Sequence, residues 1–424
     1  MKIRFQTIIN FLTGFLLLAL GVVLGYRYAN TGSLPLGIKL PFVHSESQNR
    51  TTSLSKLTGE LSGQSVSKDI DFGIFWEVWN LLERDYLEQD KIVTEDMVDG
   101  AVFGLTQSLG DPYTIYLSPK ANQRSAEDLS SSFYGIGIEL GYIDNNLAVV
   151  APIKGTPAAQ VGIEAGDLIL HVKDPSVGLD EDTNGWTLQE AVDHIRGKKG
   201  SEIILTLWRK DKGEPFEVRV TRGEIVVESV ELEFPEVNGQ KVAHLRVIRF
   251  GERTFDEWDK AVQEIIQNRS QIKGIVLDFR NNPGGYFDRS IEIASDFIKS
   301  GKVVTQQGRY TKQEYKSNGK ARLTGMPLVI LVNRGSASAA EIVAGALRDD
   351  VGAKLVGEKT FGKGTVQERR ELSNGGGLHI TIAKWMLPKG DWIHHEGIPV
   401  DVEVKDDPET DKDEVLERAV RELK

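Results

Sequence analysis

A nearly all-apolar segment at residues 272–279 constrains this chain more than any other feature. A run that short and that uniformly apolar reads as a strand buried on both faces, so its sheet needs helices above and below. The neighbouring segments supply them. Residues 242–248, 328–332 and 354–356 read as further strands. Thr254 and Glu257 make a capping pair that opens a helix with Phe255, Trp258, Val262 and Ile265 facing inward. Another helix follows the turn at 280–285 and runs to about Ile298. A small-residue helix follows Ser338. This alternation predicts an α/β fold, a mixed sheet with parallel strands and covering helices. Residues 366–372 and 378–386 read as a hairpin across the glycine-rich stretch 373–377. Val415, Leu416, Ala419, Val420 and Leu423 space out a last amphipathic helix on an acidic tail.

Composition narrows the chemistry. The chain has 424 residues, enough for two or three domains at about 150 residues each. It has no cysteine, which removes thiol nucleophiles, thiolate zinc sites and disulfides. Its 62 acidic against 51 basic residues give a net charge of −11 and argue against nucleic acid as a partner. His394 and His395 are adjacent, so a strand would point them to opposite faces. His44 falls in a linker, and His171, His194, His244 and His379 carry no metal-ligand or triad spacing. No metal and no other cofactor is expected.

Residues 5–26 carry no charge, and 22 such residues are long enough to cross a bilayer as a helix. Lys2 and Arg4 precede them, and no clean small-residue cleavage site follows. The expectation is an uncleaved, single-pass anchor in a bacterial-type cell membrane. The body would then lie outside the cytoplasm, in a periplasm or at the cell surface. Residues 31–68, with Pro35, Pro41 and a Ser/Thr-rich stretch, read as a flexible tether. Phe72, Phe75, Trp76, Trp79, Leu82 and Tyr86 then recur at helical spacing, and such an aromatic stripe is expected in a core. A second helix, about 95–109, places Val98, Ala101, Val102, Leu105 and Leu109 on one face and stops at Asp111-Pro112.

Residues 132–224 read as a small β-rich unit. A strand at 133–140 is entered through Gly135 and Gly137, and others lie at 147–151, 202–208 and 217–221, with a short helix at 188–195. The run Gly162-Ile163-Glu164-Ala165-Gly166-Asp167-Leu168-Ile169 makes this unit resemble a PDZ domain. The resemblance implies capture of a peptide C-terminus by strand addition along the edge starting at Ile136. Main-chain N–H groups of Tyr134, Gly135, Ile136 and Gly137 would hold the carboxylate, and Leu188 and Val192 would line the side-chain pocket.

Three segments could carry chemistry. Arg334-Gly335-Ser336-Ala337-Ser338-Ala339-Ala340-Glu341 lies between a buried strand and a helix, where a serine has local N–H groups for an oxyanion. Ser338 and Glu341 also fit a capping box, and composition does not choose between Ser336 and Ser338. Gly357-Glu358-Lys359-Thr360-Phe361-Gly362-Lys363-Gly364 nearly matches a phosphate-binding loop. It lacks the Ser/Thr that would hold magnesium and precedes a strand rather than a helix. What it leaves is a lysine between two glycines, either solvated or desolvated into a base. The turn at 280–285 is either a plain Pro-Gly turn or a second N–H donor.

Together with Leu109-Gly110-Asp111-Pro112-Tyr113 and Asp278-Phe279-Arg280-Asn281-Asn282-Pro283-Gly284-Gly285, these segments resemble the C-terminal processing (tail-specific) serine peptidases. The resemblance implies an α/β ClpP/crotonase-like peptidase core with an inserted PDZ domain. It places the nucleophile at Ser338, the base at Lys363 and a lysine-orienting amide at Gln367. It assigns the oxyanion-hole N–H groups to Gly284 and Ala339, with Gly285 as fallback for the former. The expected layout is an anchor at 1–30, a tether at 31–68 and a helical lead-in at 69–130. The PDZ domain then spans 131–224, the Ser–Lys core 225–405 and an acidic helix 406–424. The expected partners are proteins or peptides with exposed C-termini, and the layout is compatible with homo-oligomers. The rival from another class is a catalytically silent PDZ receptor for C-terminal tails. A crotonase-like acyl-CoA enzyme would need neither the PDZ insert nor the anchor.

Overall fold

The computed structural model describes residues 71–406, 410 and 412–423. The expected anchor at 5–26 and tether at 31–68 lie outside the described residues. Among the described residues no helix is long and apolar enough to cross a membrane. Chain contacts divide the protein into two compact units, Met1–Ile92 and Val93–Lys424. In the first, helix α1 (Gly73–Asp85) carries the aromatic stripe where its spacing predicts. The stripe is not core, because no residue of the helix is buried. Its rings cover one another instead: Phe75 meets Trp76 and Trp79 at centroid separations of 5.0 and 5.9 Å, the latter as residues four apart on one helix face.

The second unit opens with α2 (Thr94–Gln107), β1 (Ile115–Leu117) and α3 (Pro119–Ser130). The Asp111-Pro112 stop is a side-chain turn, in which the Asp111 carboxylate accepts the Tyr113 N–H at 3.0 Å and the Thr114 hydroxyl at 2.7 Å. The β-rich module follows: β2 (Ser132–Gly135), β3 (Ile138–Ile143), β4 (Asn146–Pro152), α4 (Pro157–Gln160), β5 (Leu168–Asp174), β6 (Leu179–Asp182), α5 (Leu188–Ile195), β7 (Glu202–Trp208), β8 (Phe216–Thr221) and β9 (Gly223–Val226). Strands β2 and β9 pair antiparallel, so the chain enters and leaves the module through one ribbon. The module's sheet runs β3-β4-β5-β7-β8, with β6 on β5. Alternate residues of β7, Ile203, Leu205 and Leu207, point into a core shared with Val149, Ile169, Val172 and Ala191 and Ile195 of α5.

A single strand over 133–140 is not what forms. The chain breaks at Ile136-Gly137 to pass from the ribbon into the module's sheet. Gly137 takes φ 77°, and a Cβ there would lie 2.4 Å from that of Thr156, so only glycine fits the bend.

The remaining elements are β10 (Val230–Glu233), β11 (Glu236–Val237), β12 (Gln240–Lys241), β13 (Ala243–Val247), α6 (Thr254–Gln267), β14 (Ile275–Asp278), α7 (Phe287–Ser295), β15 (Lys302–Gly308), β16 (Lys312–Lys316), β17 (Leu328–Val332), α8 (Ala339–Val351), β18 (Lys354–Gly357), β19 (Thr365–Glu371), β20 (Gly377–Met386), β21 (Val402–Glu403) and α9 (Glu414–Glu422). Six of these strands form the expected mixed sheet in the order β10-β13-β14-β17-β18-β21. All its neighbours are parallel except β10 and β13. Every residue of β14 is buried. Ile275 and Leu277 face the helices α6, α7 and α8, while Val276 faces Val415, Ala419 and Val420 of α9. The Thr254–Glu257 capping pair does not form. Thr254 Oγ1 instead donates to the Arg249 carbonyl at 2.9 Å, and Glu257 accepts the Ser229 N–H at 2.7 Å. A second sheet runs β1-β20-β15-β16, with β19 paired to β20 as the expected hairpin.

Candidate active site

Two serines sit in the loop between β17 and α8, and their surroundings separate them. Ser336 is fully buried. Its hydroxyl donates to the Phe279 carbonyl at 2.8 Å and accepts the Asn333 N–H at 2.9 Å, which joins this loop to the end of β14. Ser338 stands at the start of α8 with φ 55° and ψ −115°, a sharp strand-to-helix turn that a residue with a Cβ rarely adopts. Its side chain lines a cavity of about 440 Å³, together with Gly284, Gly285, Lys363, Gln367 and Trp385.

Lys363 lies between β18 and β19 with a glycine on each side. A Cβ on Gly362 would lie 2.6 Å from the Gly397 nitrogen, and one on Gly364 would lie 2.8 Å from Trp392 Nε1. Segment 392–397 therefore packs directly on this loop, with the indoles of Trp385 and Trp392 donating to the Lys363 and Gly364 carbonyls at 3.0 and 2.8 Å. Burial pushes the Lys363 pKa below its ordinary 10.5, while the charges of Asp111 and Glu341 pull it partly back. This is the direction that favours a neutral amine. Nζ lies 5.0 Å from the Tyr113 ring centroid. Among the described residues no hydrogen bond joins it to Ser338 Oγ.

Glu341 connects the two loops. It is fully buried. Its Oε2 accepts the N–H groups of Ser338 at 2.8 Å and Lys363 at 2.9 Å, and its Oε1 accepts the Gly362 N–H at 2.7 Å and the Thr360 hydroxyl at 2.6 Å. Burial pushes its pKa up against the opposing pull of these bonds. The Ser-x-x-Glu spacing signals the contact to Ser338 but not those to the lysine loop.

The other expected positions are only partly brought together. Gln367 lines the cavity, but its Nε2 donates to Thr365 at 2.9 Å and Thr381 at 3.1 Å rather than meeting the lysine. Gly284 faces the serine closely, since a Cβ on it would lie 2.8 Å from Ser338 Cβ. Its N–H, however, donates to Asn282 Oδ1 at 2.8 Å. The Asn282 side chain that takes this donor is buried and anchored on the Val247 carbonyl at 2.6 Å. The N–H groups of Gly285 and Ala339 carry no hydrogen bond among the described residues.

A family model for peptidase family S41 matches residues 241–404, and a PDZ domain model matches residues 149–209. The carboxy-terminal processing protease CtpA of Bacillus subtilis is 35% identical over 355 residues, covering 84% of this chain and 73% of its own. The chain belongs to peptidase family S41. A second family member from that organism, the carboxy-terminal processing protease CtpB, is 33% identical over 331 residues, covering 78% of this chain and 67% of its own. Among solved structures, a photosystem II D1 C-terminal processing protease aligns with TM-score 0.47 and 27% identity, covering 81% of this chain and 96% of that one.

The PDZ domain of this S41 member has an open edge at β3, the terminal strand of its sheet. Helix α5 packs beside it, with Leu188 exposed and Val192 half-buried. Tyr134 and Gly135 belong to the ribbon with β9, opposite Glu224 and Gly223. The Ile136 side chain is buried in the domain core. Of the four expected carboxylate-binding positions, Tyr134 and Gly135 are therefore already in a ladder, and Ile136 can contribute only through its main chain beside Gly137.

Proposed function

We propose that this chain is a serine endopeptidase of the C-terminal processing type with a Ser338–Lys363 dyad. The observation that carries this reading is the backbone of Ser338. A conformation costing about 1–3 kcal/mol persists only where the surroundings enforce it, and here it aims a hydroxyl into a cavity shared with a half-buried lysine of depressed pKa. In the reaction, neutral Lys363 takes the proton from Ser338 Oγ as Oγ attacks the scissile carbonyl carbon. The N–H groups of Ala339 and Gly285 receive the oxyanion. The lysine ammonium then protonates the leaving amine, and water hydrolyses the acyl-enzyme. For this, Nζ rotates from Tyr113 towards Ser338. Gln367, its amide nitrogen held by Thr365 and Thr381, offers its oxygen to the ammonium.

Substrate C-termini pair with the β3 edge, and the N–H groups of Ile136 and Gly137 face the terminal carboxylate. Residues 5–26 anchor the chain in a membrane, with residues 31–68 as the tether and the body outside the cytoplasm. The uncharged 22-residue run behind Lys2 and Arg4 supports this placement. The open contact between Ser338 and Lys363 favours a second reading, a tail-binding receptor without turnover. One experiment separates the two. The full chain in detergent is incubated with an unstructured protein, wild type beside Ser338→Ala, and products are identified by mass spectrometry. Cleavage by wild type alone supports the peptidase; binding with no product from either supports the receptor.

A further inference from the structure

We propose that Arg369 and His379 form a carboxylate subsite beside Ser338, so that this enzyme prefers peptides carrying an Asp or Glu side chain, or their own terminal carboxylate, near the scissile bond. The proposal rests on the peptidase reading above and names the substrate chemistry of the same cavity.

Four charged side chains and one imidazole line that cavity: Asp128, Arg249, Lys363, Arg369 and His379. Two of them satisfy each other. Arg249 sits 3.6 Å from the Asp128 carboxylate and donates to the Asp128 carbonyl at 2.6 Å. Lys363 is the proposed base. That leaves Arg369 and His379. They stand directly opposite each other in the register of β19 and β20, so both side chains project from the same face. Gln367, two residues before Arg369, shares that face and places the pair on the Ser338 side of the hairpin.

Neither group has a hydrogen-bond or ion-pair partner among the described residues. Arg369 makes no ion pair or hydrogen bond among the described residues, and its neighbours Glu368 and Arg370 pair with each other at 3.1 Å. His379 Nε2 is buried without any hydrogen bond. Burial and the positive charges of Arg369 and Lys363 hold its pKa down, which leaves a neutral imidazole. A buried ring nitrogen left unsatisfied costs free energy that a matching ligand recovers, and the half-buried Arg369 brings a cation beside it. The ligand that fits is a carboxylate. Its two oxygens accept from the planar guanidinium fork, and an imidazole N–H can bond it from the facing strand.

The test uses the full chain and an unstructured protein whose cleavage sites are mapped by mass spectrometry. An acidic residue should recur at one fixed position relative to the cut, or cuts should fall at a fixed short distance from the chain end. Matched peptides then carry Glu or Gln at that position, or a free or amidated C-terminus. Wild type should favour the carboxylate form by about tenfold in kcat/KM, and Arg369→Leu should bring the two forms within about twofold. Arg369→Glu should reverse the preference towards Lys, a result that misfolding cannot imitate. The pair that responds identifies whether the carboxylate is a side chain or the terminus. Equal rates for both pairs with wild type, or an Arg369→Glu enzyme with wild-type preference, would overturn the subsite and leave the peptidase standing. No product from wild type at all would overturn both.

Discussion

Replacing Ser338 by glycine should make this protein more stable while abolishing cleavage. The magnitude follows from the backbone. Ser338 holds φ 55° and ψ −115°, a conformation that costs a residue with a Cβ about 1–3 kcal/mol. Glycine escapes that cost but gives up about 0.5–1 kcal/mol of extra chain entropy on folding. The balance favours Ser338→Gly over Ser338→Ala by up to roughly 2.5 kcal/mol, because both variants lose the same hydroxyl and only glycine relieves the backbone. The comparison thus isolates strain from chemistry. Chemical denaturation, followed by tryptophan fluorescence, would read the difference as a shift in midpoint at constant slope. Digestion of an unstructured protein would show both variants inactive. If Ser338→Gly unfolds no later than Ser338→Ala, the turn stores no strain, and the chief support for Ser338 as nucleophile is gone.

Ser336→Ala should do the reverse, costing about 1–3 kcal/mol because the part-buried Asn333 N–H loses its acceptor and the Phe279 carbonyl keeps only the Asn282 N–H, while cleavage survives in the folded fraction; complete loss of cleavage in well-folded Ser336→Ala would reassign the nucleophile. Activity should rise with pH as Lys363 loses its proton, with a midpoint below its ordinary 10.5. Since the Asp111 charge raises that pKa, Asp111→Asn should move the kcat/KM profile to lower pH, and a move to higher pH would refute the electrostatics. Asp278 predicts acid sensitivity: burial alone would raise its pKa, but bonds from His244 and Arg280 hold it at about 2, below its ordinary 3.8. A depressed carboxylate stabilises the fold above the unfolded value and loses that contribution as pH falls towards 2, here about 2.5 kcal/mol. Asp278→Asn should therefore flatten acid unfolding between about pH 4 and 2 as read by circular dichroism; an unchanged curve would show that the group is not coupled to folding.

The parts of the fold that were legible in sequence are those where periodicity alone decides. Ile275, Val276 and Leu277 of β14 are apolar because helices cover both faces, and α9 shows its stripe at helical spacing. The place of α9 was not legible. An acidic tail suggests solvent, yet Asp406 and Asp413 pair with Arg280 at 3.2 and 2.7 Å and draw the helix onto the sheet beside the 280–285 turn. The hairpin of β15 and β16 gave no signal, since Lys312–Lys316 is almost entirely polar and becomes a strand only through its partner. The aromatic stripe of α1 misled for the opposite reason: spacing reports a shared face but not what covers it.

The site divides along the same line. Candidate residues are visible because glycines and small side chains mark where backbones approach, but the commitments of individual donors are tertiary. Asn282 can take the Gly284 N–H through a local side-chain turn, but nothing local reveals that Val247 of β13 pins it there, or that Gln367 turns its nitrogen to Thr381 on the facing strand. Glu341 shows how much depends on such contacts. As a cap it concerns four residues of one helix. As a buried carboxylate it also holds Thr360, Gly362 and Lys363, and so fixes the main chain of a lysine 25 positions from the serine. Its two oxygens serve three N–H groups and one hydroxyl, which leaves no lone pair for the lysine ammonium itself. Glu341 therefore holds the Lys363 main chain and not its ammonium, which lies against the Tyr113 ring. The proposed dyad needs only that side chain to move, and the loops that carry it keep their Glu341 contacts.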